Sequence, residues 1–476
     1  MRGRALAIGL VSVVAAAGPS CSATGDPASG AGGAAAGGGA AGAGATGSGG
    51  LGAAGGSGWG GDAALPPPTG ARLLGTVWSP HADGKAPLFP IAGALVAAFV
   101  DPPSALPTEV ACDACVEIPT GIPWTTSAAD GTFHLDVQPG ATFWLTVQKG
   151  QFRRVRQYTA PSTTGEVAVE PELTSLPNHS DVALGDAIPR IALVYGDYDH
   201  IEDVFAKVGL GSEDGAYGHA WGTEAGHFDV FDNSGPGEPK HGEPLVNLLG
   251  NPARMAEYQV ILFACSYNAN FAFMNNAGTQ QALRDWVWQG GKLYVSDYAM
   301  PVVEMPWHDF VWFTNPLSSG CNENAFPPTC NHGPPFDSKA TIPDQPTSDW
   351  LSAMGQLSGL VVKENWNTIG ELFEGVVGQD PGGATLKQKP KVWVQGPWSY
   401  PKEDLESFGQ DPATWDLSEH PLTVTWPYNC GRVLYTTYHT VGGTLGGRHP
   451  GLIAQERILF HLLMELTVCP EIPVVR

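Results

Sequence analysis

Positive charge is scarce in this sequence. Its 476 residues include 24 Lys+Arg against 47 Asp+Glu, a formal net charge of −23, and only 15% of the residues are charged. A surface of that sign repels a phosphate backbone, which excludes nucleic acid as a partner. Beyond the first 21 residues no segment holds about twenty consecutive apolar residues, the length a spanning helix needs. Metal-binding punctuation is thin as well. EF-hand spacing is missing, and Cys112-x-x-Cys115 has neither a second C-x-x-C nor an H-x3-H beside it, so Cys112, Cys115, Cys321, Cys330 and His332 do not compose a zinc motif. The sequence implies no metal and no cofactor.

Glycine, by contrast, is abundant and unevenly spread: 18 of the 62 Gly lie between Gly25 and Gly61. Residues 22–70 are mostly Gly, Ala, Ser and Thr with no periodic apolar face to offset the entropy of ordering, and read as a disordered tether. A Gly-rich coil of roughly 45 residues reaches about 35–40 Å, ending here at the stiffer Pro66-Pro67-Pro68. Ahead of it, residues 1–21 combine Arg2 and Arg4, an apolar run Ala5 to Ala17, and Gly18-Pro19-Ser20 before Cys21. This resembles a bacterial lipoprotein signal peptide, with Gly18 where Leu is usual. The resemblance implies lipidation at Cys21, and Ser22 after it implies anchoring at the outer membrane. The competing reading is a plain secretory signal that leaves Cys21 free.

Seven Cys follow Cys21, an odd number, so one lacks an intrachain partner. In an exported chain Cys112 with Cys115 and Cys321 with Cys330 are close enough for local disulfides, and Cys430 is available to pair with Cys469. Cys265, after the apolar run Val260 to Ala264, is then the free thiol.

Residues 71–186 carry short β signals without helical periodicity: Leu73 to Trp78, Ile91 to Val100, Phe133 to Val137 and Phe143 to Gln148, separated by Asp130-Gly131 and Pro139-Gly140. A small β-sandwich follows. Gly75-Thr76-Val77, then Ile91 to Val96, then Ala129 to Phe133 resemble the carboxypeptidase-regulatory or transthyretin-like domain, which implies a spacer or binding module. The cluster Lys149, Arg153, Arg154 and Arg156 reads as a strand paired with local carboxylates, or else as an anionic-glycan site.

Residues 187–476 alternate strands and helices. The apolar strand Arg190 to Gly196 runs into a helix with Ile201, Val204, Phe205 and Val208 on one face, Gly209 at its end, and Asp199 with Glu202 as a capping box. Strands at Phe228 to Phe231, Tyr258 to Ala264, Lys292 to Ser296, Leu422 to Trp426 and Val433 to Thr437 follow, with helices around Leu283 to Val287 and Ile458 to Leu463. Fully apolar strands imply a parallel sheet covered on both faces. An irregular insertion spans about 301–420, its Trp307, Trp312, Trp350, Trp366, Trp393 and Trp398 forming a small core of its own or else exposed platforms for a sugar. The whole is multidomain, a small β-sandwich followed by a three-layer α/β domain.

Tyr258 to Phe263, Trp286 to Tyr294 and Gly431 to His439 resemble the flavodoxin-like class I glutamine amidotransferase superfamily, its trehalose-utilisation-type members in particular. That family works through a Cys on a sharp strand-to-helix elbow and a His-x-Glu pair. Here the elbow reads Ser296-Asp297-Tyr298-Ala299 and the pair reads His439-Thr440-Val441, so glutamine hydrolysis by that route is not expected. Ligands of open parallel sheets bind beyond the carboxyl ends of the strands. That edge gathers Asp197, Asp199 and His200 as ligand-binding candidates and Cys265, Ser296, Asp297 and His439 as catalytic ones, with Cys265 or Ser296 as nucleophile, His439 as base and Asp297 as its orienter. A cation held by Asp197, Asp199 and Asp297 is the further alternative. The expected function is a non-catalytic envelope lipoprotein that presents the α/β domain to a glycan or another envelope protein; the alternative is a hydrolase using the Cys/Ser-His-Asp cluster.

Overall fold

A computed structural model describes residues 67–82, 84–112, 118–213, 220–221, 228–233, 241–266, 268–313, 336–380, 383–397, 402–407, 411, 413, 418–440 and 451–466. All of them fall within one compact unit, Gly50–Arg476. The signal peptide, Cys21 and most of the tether lie outside the described residues, as do Cys115, Cys321, Cys330, Cys469, His332 and Trp398.

Two sheets build the first part. Ala71–Thr76 pairs antiparallel with Thr132–Val137 and parallel with Gly165–Ala168. The second sheet is five-stranded, ordered Trp124–Thr126, Leu95–Phe99, Thr142–Lys149, Phe152–Thr159 and Asp186–Ala187. Alternation decides what each strand buries: Phe133, Leu135 and Val137 point inward while Thr132 and Asp136 are exposed. Inward side chains of both sheets, including Leu73, Val96, Leu145 and Val147, meet in one apolar cluster.

The second part is built on an eight-stranded sheet ordered Glu243–Pro244, Phe228–Asp232, Ile191–Tyr195, Val260–Phe263, Lys292–Ser296, Gly431–Thr436, Glu419–Tyr428 and Lys391–Pro397. The first six run parallel, Glu419–Tyr428 runs antiparallel to them, and Lys391–Pro397 pairs antiparallel with Glu419–Tyr428. The expected parallel sheet thus carries two antiparallel pairings at one edge. The cause is local: only the two residues Asn429 and Cys430 join Glu419–Tyr428 to Gly431–Thr436, and a link that short cannot carry a parallel crossover. Asn429 adopts φ 54 there, a conformation Asn tolerates. Helices cover both faces, and each apolar strand divides its side chains between them. Ile191, Leu193 and Tyr195 join the cluster containing helices Ile201–Lys207 and Ala454–Leu466, whereas Ala192 and Val194 join one containing Leu283, Trp286 and Val287 of Ala277–Trp288.

The first of those clusters also contains the sandwich interior, so the apolar core runs without a break from one part to the other. Lys149 of the sandwich pairs with Glu465 of the last helix, and Trp350 donates to the carbonyl of Pro90 at 2.8 Å. The insertion is more ordered than its sequence implies. It contributes the edge strand Lys391–Pro397, the helix Gln345–Ala353 and several short strands. Trp307, Trp350, Trp366 and Trp393 are buried, but in the clusters of the main body rather than in a separate core.

Two disulfide expectations are overturned together. Cys112 bonds to Cys430 across 318 residues, with Cα atoms 5.2 Å apart, so neither Cys112–Cys115 nor Cys430–Cys469 forms. The loop bearing Cys112 passes against Gly290, at the end of the helix whose Trp288 carbonyl lies beside Cys430; this tertiary approach overrides nearness in sequence. The capping box is also replaced. His200 occupies the N-cap position of Ile201–Lys207, and Asp199 turns inward to a different task.

Candidate functional site

Four parallel strands deliver their C-terminal residues to one edge. Ile191–Tyr195 leads to Asp197 and Asp199, Val260–Phe263 to Cys265 and Ser266, Lys292–Ser296 to Asp297, and Gly431–Thr436 to His439 and Thr440. Backbones crowd here: a Cβ on Gly196 would collide with the carbonyl of Cys265, so only glycine lets these two strand ends lie so close.

Asp199 is the brace of this edge. One of its oxygens accepts from Ser296 Oγ at 2.8 Å, the other from the Thr440 amide at 3.1 Å and hydroxyl at 2.8 Å. Ser296 Oγ in turn accepts from the Cys265 amide at 3.0 Å. The Ser296 hydroxyl is thus committed to holding strands together. Asp197 accepts from Ser266 at 2.7 Å, and His200 Nδ1 lies 3.0 Å from Glu202. These residues scaffold the edge around three others.

Those three are Cys265, Asp297 and His439, whose donor atoms all lie within 4.8 Å of one another. The separation is 3.8 Å from Cys265 Sγ to Asp297 Oδ2 and 3.1 Å from Asp297 Oδ2 to His439 Nε2. A fourth residue, unforeseen in the sequence, completes the group. Glu364 Oε2 stands 3.0 Å from His439 Nδ1, and the Glu364 carbonyl accepts from the His439 amide. Glu364 belongs to Val361–Asn365 of the insertion, whose sequence carries no elbow, cap or metal spacing; its end is laid along Thr437 and Tyr438 by backbone pairing.

The centre is closed to solvent. Cys265 and Asp297 are fully buried and His439 is 2% exposed. Tyr298 and Trp366 pack on Cys265, and Tyr435 donates to the Asp297 carbonyl at 2.8 Å. Burial pushes the Cys265 thiol up to about 12, with the Asp297 charge adding to it. Burial also raises Asp297 to about 7, against the opposing pull of His439. For His439 burial works toward neutrality, but Cys265, Asp297 and Glu364 together hold it well above the ordinary histidine range.

Two atoms of the group are left over. Asp297 Oδ1 has no hydrogen-bond partner, and neither does His439 Nε2, whose 3.1 Å approach to Asp297 is close enough for a charge pair but out of line for a hydrogen bond. Asp297 also sits at φ 45 and Glu364 at φ 57, so both carboxylates that flank His439 lie on left-handed backbone. Such a conformation costs about 1–2 kcal/mol per residue and persists only where the surroundings enforce it.

The turn after Lys292–Ser296 is occupied by Asp297. Cys265, from the neighbouring strand, is a free buried thiol. Of the residues singled out in the sequence, the structure brings Cys265, Asp297 and His439 together, and puts Ser296, Asp197, Asp199 and His200 to bracing contacts around them.

No family model matches this chain, and no curated protein matches it. Among solved structures, it is similar to a protein described as ThuA-like from Bacteroides uniformis, at 12% identity and a TM-score of 0.30, over 58% of this chain and 89% of that one. It is also similar to Gan42B, a GH42 β-galactosidase, at 11% identity and a TM-score of 0.24, over 59% of this chain and 30% of the other.

Proposed function

We propose that this chain is a binding protein of the bacterial envelope, held by a lipid at Cys21, and that its strand-end centre takes one divalent cation of the zinc class through Cys265, Asp297 and His439. In this reading the sandwich is a regulatory-type spacer and the α/β part a flavodoxin-like, amidotransferase-type domain that has lost its glutamine chemistry, presenting a surface to a glycan or another envelope protein.

The observation that carries the metal assignment is the convergence of sulfur, oxygen and nitrogen donors in a sealed place with unspent lone pairs. Zinc-class ions bind such donors at about 2.0–2.3 Å, which makes the edges of a tetrahedral site roughly 3.3–3.6 Å. The Cys265–Asp297 and Asp297–His439 edges, 3.8 and 3.1 Å, bracket that range, and all three donors lie within 4.8 Å, so a bound ion would draw Cys265 and His439 together. Glu364 supplies what a metal-bound imidazole needs behind it: it holds the Nδ1 hydrogen, so that an incoming cation displaces the proton at Nε2, the nitrogen that faces Cys265 and Asp297. A dication neutralises the thiolate and carboxylate that would ligate it, which suits burial, and leaves the charge of Glu364 at the less buried rim.

Metal analysis of the purified full-length protein, followed by Co²⁺ titration of the chelator-treated sample, tests this. One equivalent of metal is expected, with a thiolate-to-cobalt absorption band that disappears in Cys265→Ser. Protein that neither carries metal nor develops the band would remove the assignment.

A second reading is favoured by the left-handed backbone at Asp297 and Glu364: a hydrolase in which Cys265 is the nucleophile, His439 the base, and Asp297 and Glu364 its flanking acids. It requires ester or amide turnover by metal-free protein that is lost in both Cys265→Ser and His439→Gln.

A further inference from the structure

The basic cluster of the sandwich divides into partnered and unpartnered charges. Lys149 pairs with Glu465, and Arg154 and Arg156 share Asp186 at 3.0 and 2.7 Å. Arg153 points to the other face of its strand, as alternation requires. It is 7% exposed, its Nε has no hydrogen-bond partner, and no carboxylate of the described residues comes within ion-pair distance. Burial lowers its pKa with no counter-charge to offset the effect. An uncompensated guanidinium in such a position is expensive, and proteins keep one only where something answers it.

What lies in front of it is a cavity of about 770 Å³. Arg153, Trp144 and Val155 line it from the sandwich strands, Leu106 and Pro107 from the sandwich loop that follows Leu95–Phe99, and Phe228 from the α/β sheet. The two carboxylates in its wall are already committed. Asp186 serves Arg154 and Arg156, and Asp229 accepts from Tyr258 at 2.7 Å and faces Arg190 at 3.4 Å. The wall's other cation, Arg190, is itself paired with Asp229 and with Glu257 at 2.9 Å, so the charge left over is that of Arg153.

We infer that this cavity binds a small organic monocarboxylate with an apolar body, its carboxylate on Arg153 and its body against Trp144, Leu106 and Phe228. The volume falls in the range of small-molecule sites, about 300–1,000 Å³, which are characteristically apolar with a few placed polar groups. A guanidinium fork matches a carboxylate with two parallel hydrogen bonds. A single cation answers one negative charge, which separates this ligand class from phosphates. The site is separate from the strand-end centre, and neither proposal depends on the other.

Calorimetric titration of the full chain with octanoate and 4-phenylbutyrate, with their primary amides and with glucuronate, tests the inference. Both acids should bind saturably at sub-millimolar concentration, their amides at least tenfold more weakly, and glucuronate more weakly than either acid. Arg153→Met should weaken the acids at least tenfold without lowering the melting temperature, and Arg153→Lys should recover part of the loss. Amides that bind as well as acids, an Arg153→Met protein that binds unchanged, or no saturable binding of either acid would overturn it. Tighter binding of glucuronate would overturn the apolar-body assignment. Should Arg153→Met fail to fold, the comparison of acid with amide on the parent chain decides alone.

Discussion

Between Glu364 and Asp297, His439 is held by two carboxylates, and only Glu364 is aligned to accept its hydrogen. This asymmetry is what separates a metal-ready imidazole from a buried ion pair. If Glu364 fixes the ring, Glu364→Gln should leave the protein folded and weaken Co²⁺ binding 10- to 100-fold, the usual effect of removing an outer-shell carboxylate. Unchanged cobalt affinity in that variant would detach Glu364 from the centre. The three donors themselves were legible because each follows an apolar strand, and the carboxyl edge of a sheet collects whatever comes next. Their meeting at that edge was legible for the same reason, but its geometry was not, since strand order alone sets how closely Cys265, Asp297 and His439 approach, with no local spacing to mark it. Glu364 left still less trace: it arrives from a segment with no periodicity, positioned only by backbone pairing to Thr437 and Tyr438.

Helix Ala454–Leu466 stands at the seam, with Ile458, Leu459 and Phe460 in the cluster that also holds Phe89 of the sandwich. On this helix His461 stacks on Trp350 at 4.6 Å and meets the Thr347 hydroxyl at 3.1 Å. Burial lowers its pKa from 6.5 to about 4, with Glu465 opposing only in part. The unfolded chain therefore takes up a proton near pH 6.5 that the folded chain refuses until about pH 4, and stability present above the higher value is lost as pH falls through this window. Between pH 7 and pH 5 the His461 contribution to the pH dependence should approach about 2 kcal/mol, opposed by buried groups of raised pKa such as Asp297 and therefore read as the difference between parent and variant. His461→Gln should remove that contribution, as read from urea midpoints at the two pH values; an equal change with pH in the variant would assign the effect elsewhere. Elements with a clear period, such as Ile191–Tyr195, Lys292–Ser296 and Ala454–Leu466, were readable from the sequence because a single apolar pattern dictates them. The strand Lys391–Pro397 was not, since it is an edge strand ordered mainly by its antiparallel neighbour, with which its pairing is irregular.

On the scale of the whole molecule, a continuous core and a long-range covalent bond act in the same direction. The sandwich interior and one face of the α/β sheet are a single apolar cluster, so neither part can open without exposing surface that belongs to the other. The Cys112–Cys430 bond joins the sandwich's long loop to the hairpin at the far side of the same sheet, closing 318 residues of chain. In the chain-entropy account a closure that long contributes at most roughly 5–6 kcal/mol, and measured removals usually fall at 2–5 kcal/mol. Calorimetry should therefore give one unfolding transition for the sandwich and α/β parts together, and Cys112→Ser should lower its temperature while leaving it single. Two separated transitions in the disulfide-bonded protein would mean that the shared core does not couple the parts. Two transitions appearing only in Cys112→Ser would mean that the bond, and not the packing at Phe89, Trp350 and Phe460, is what makes them unfold as one.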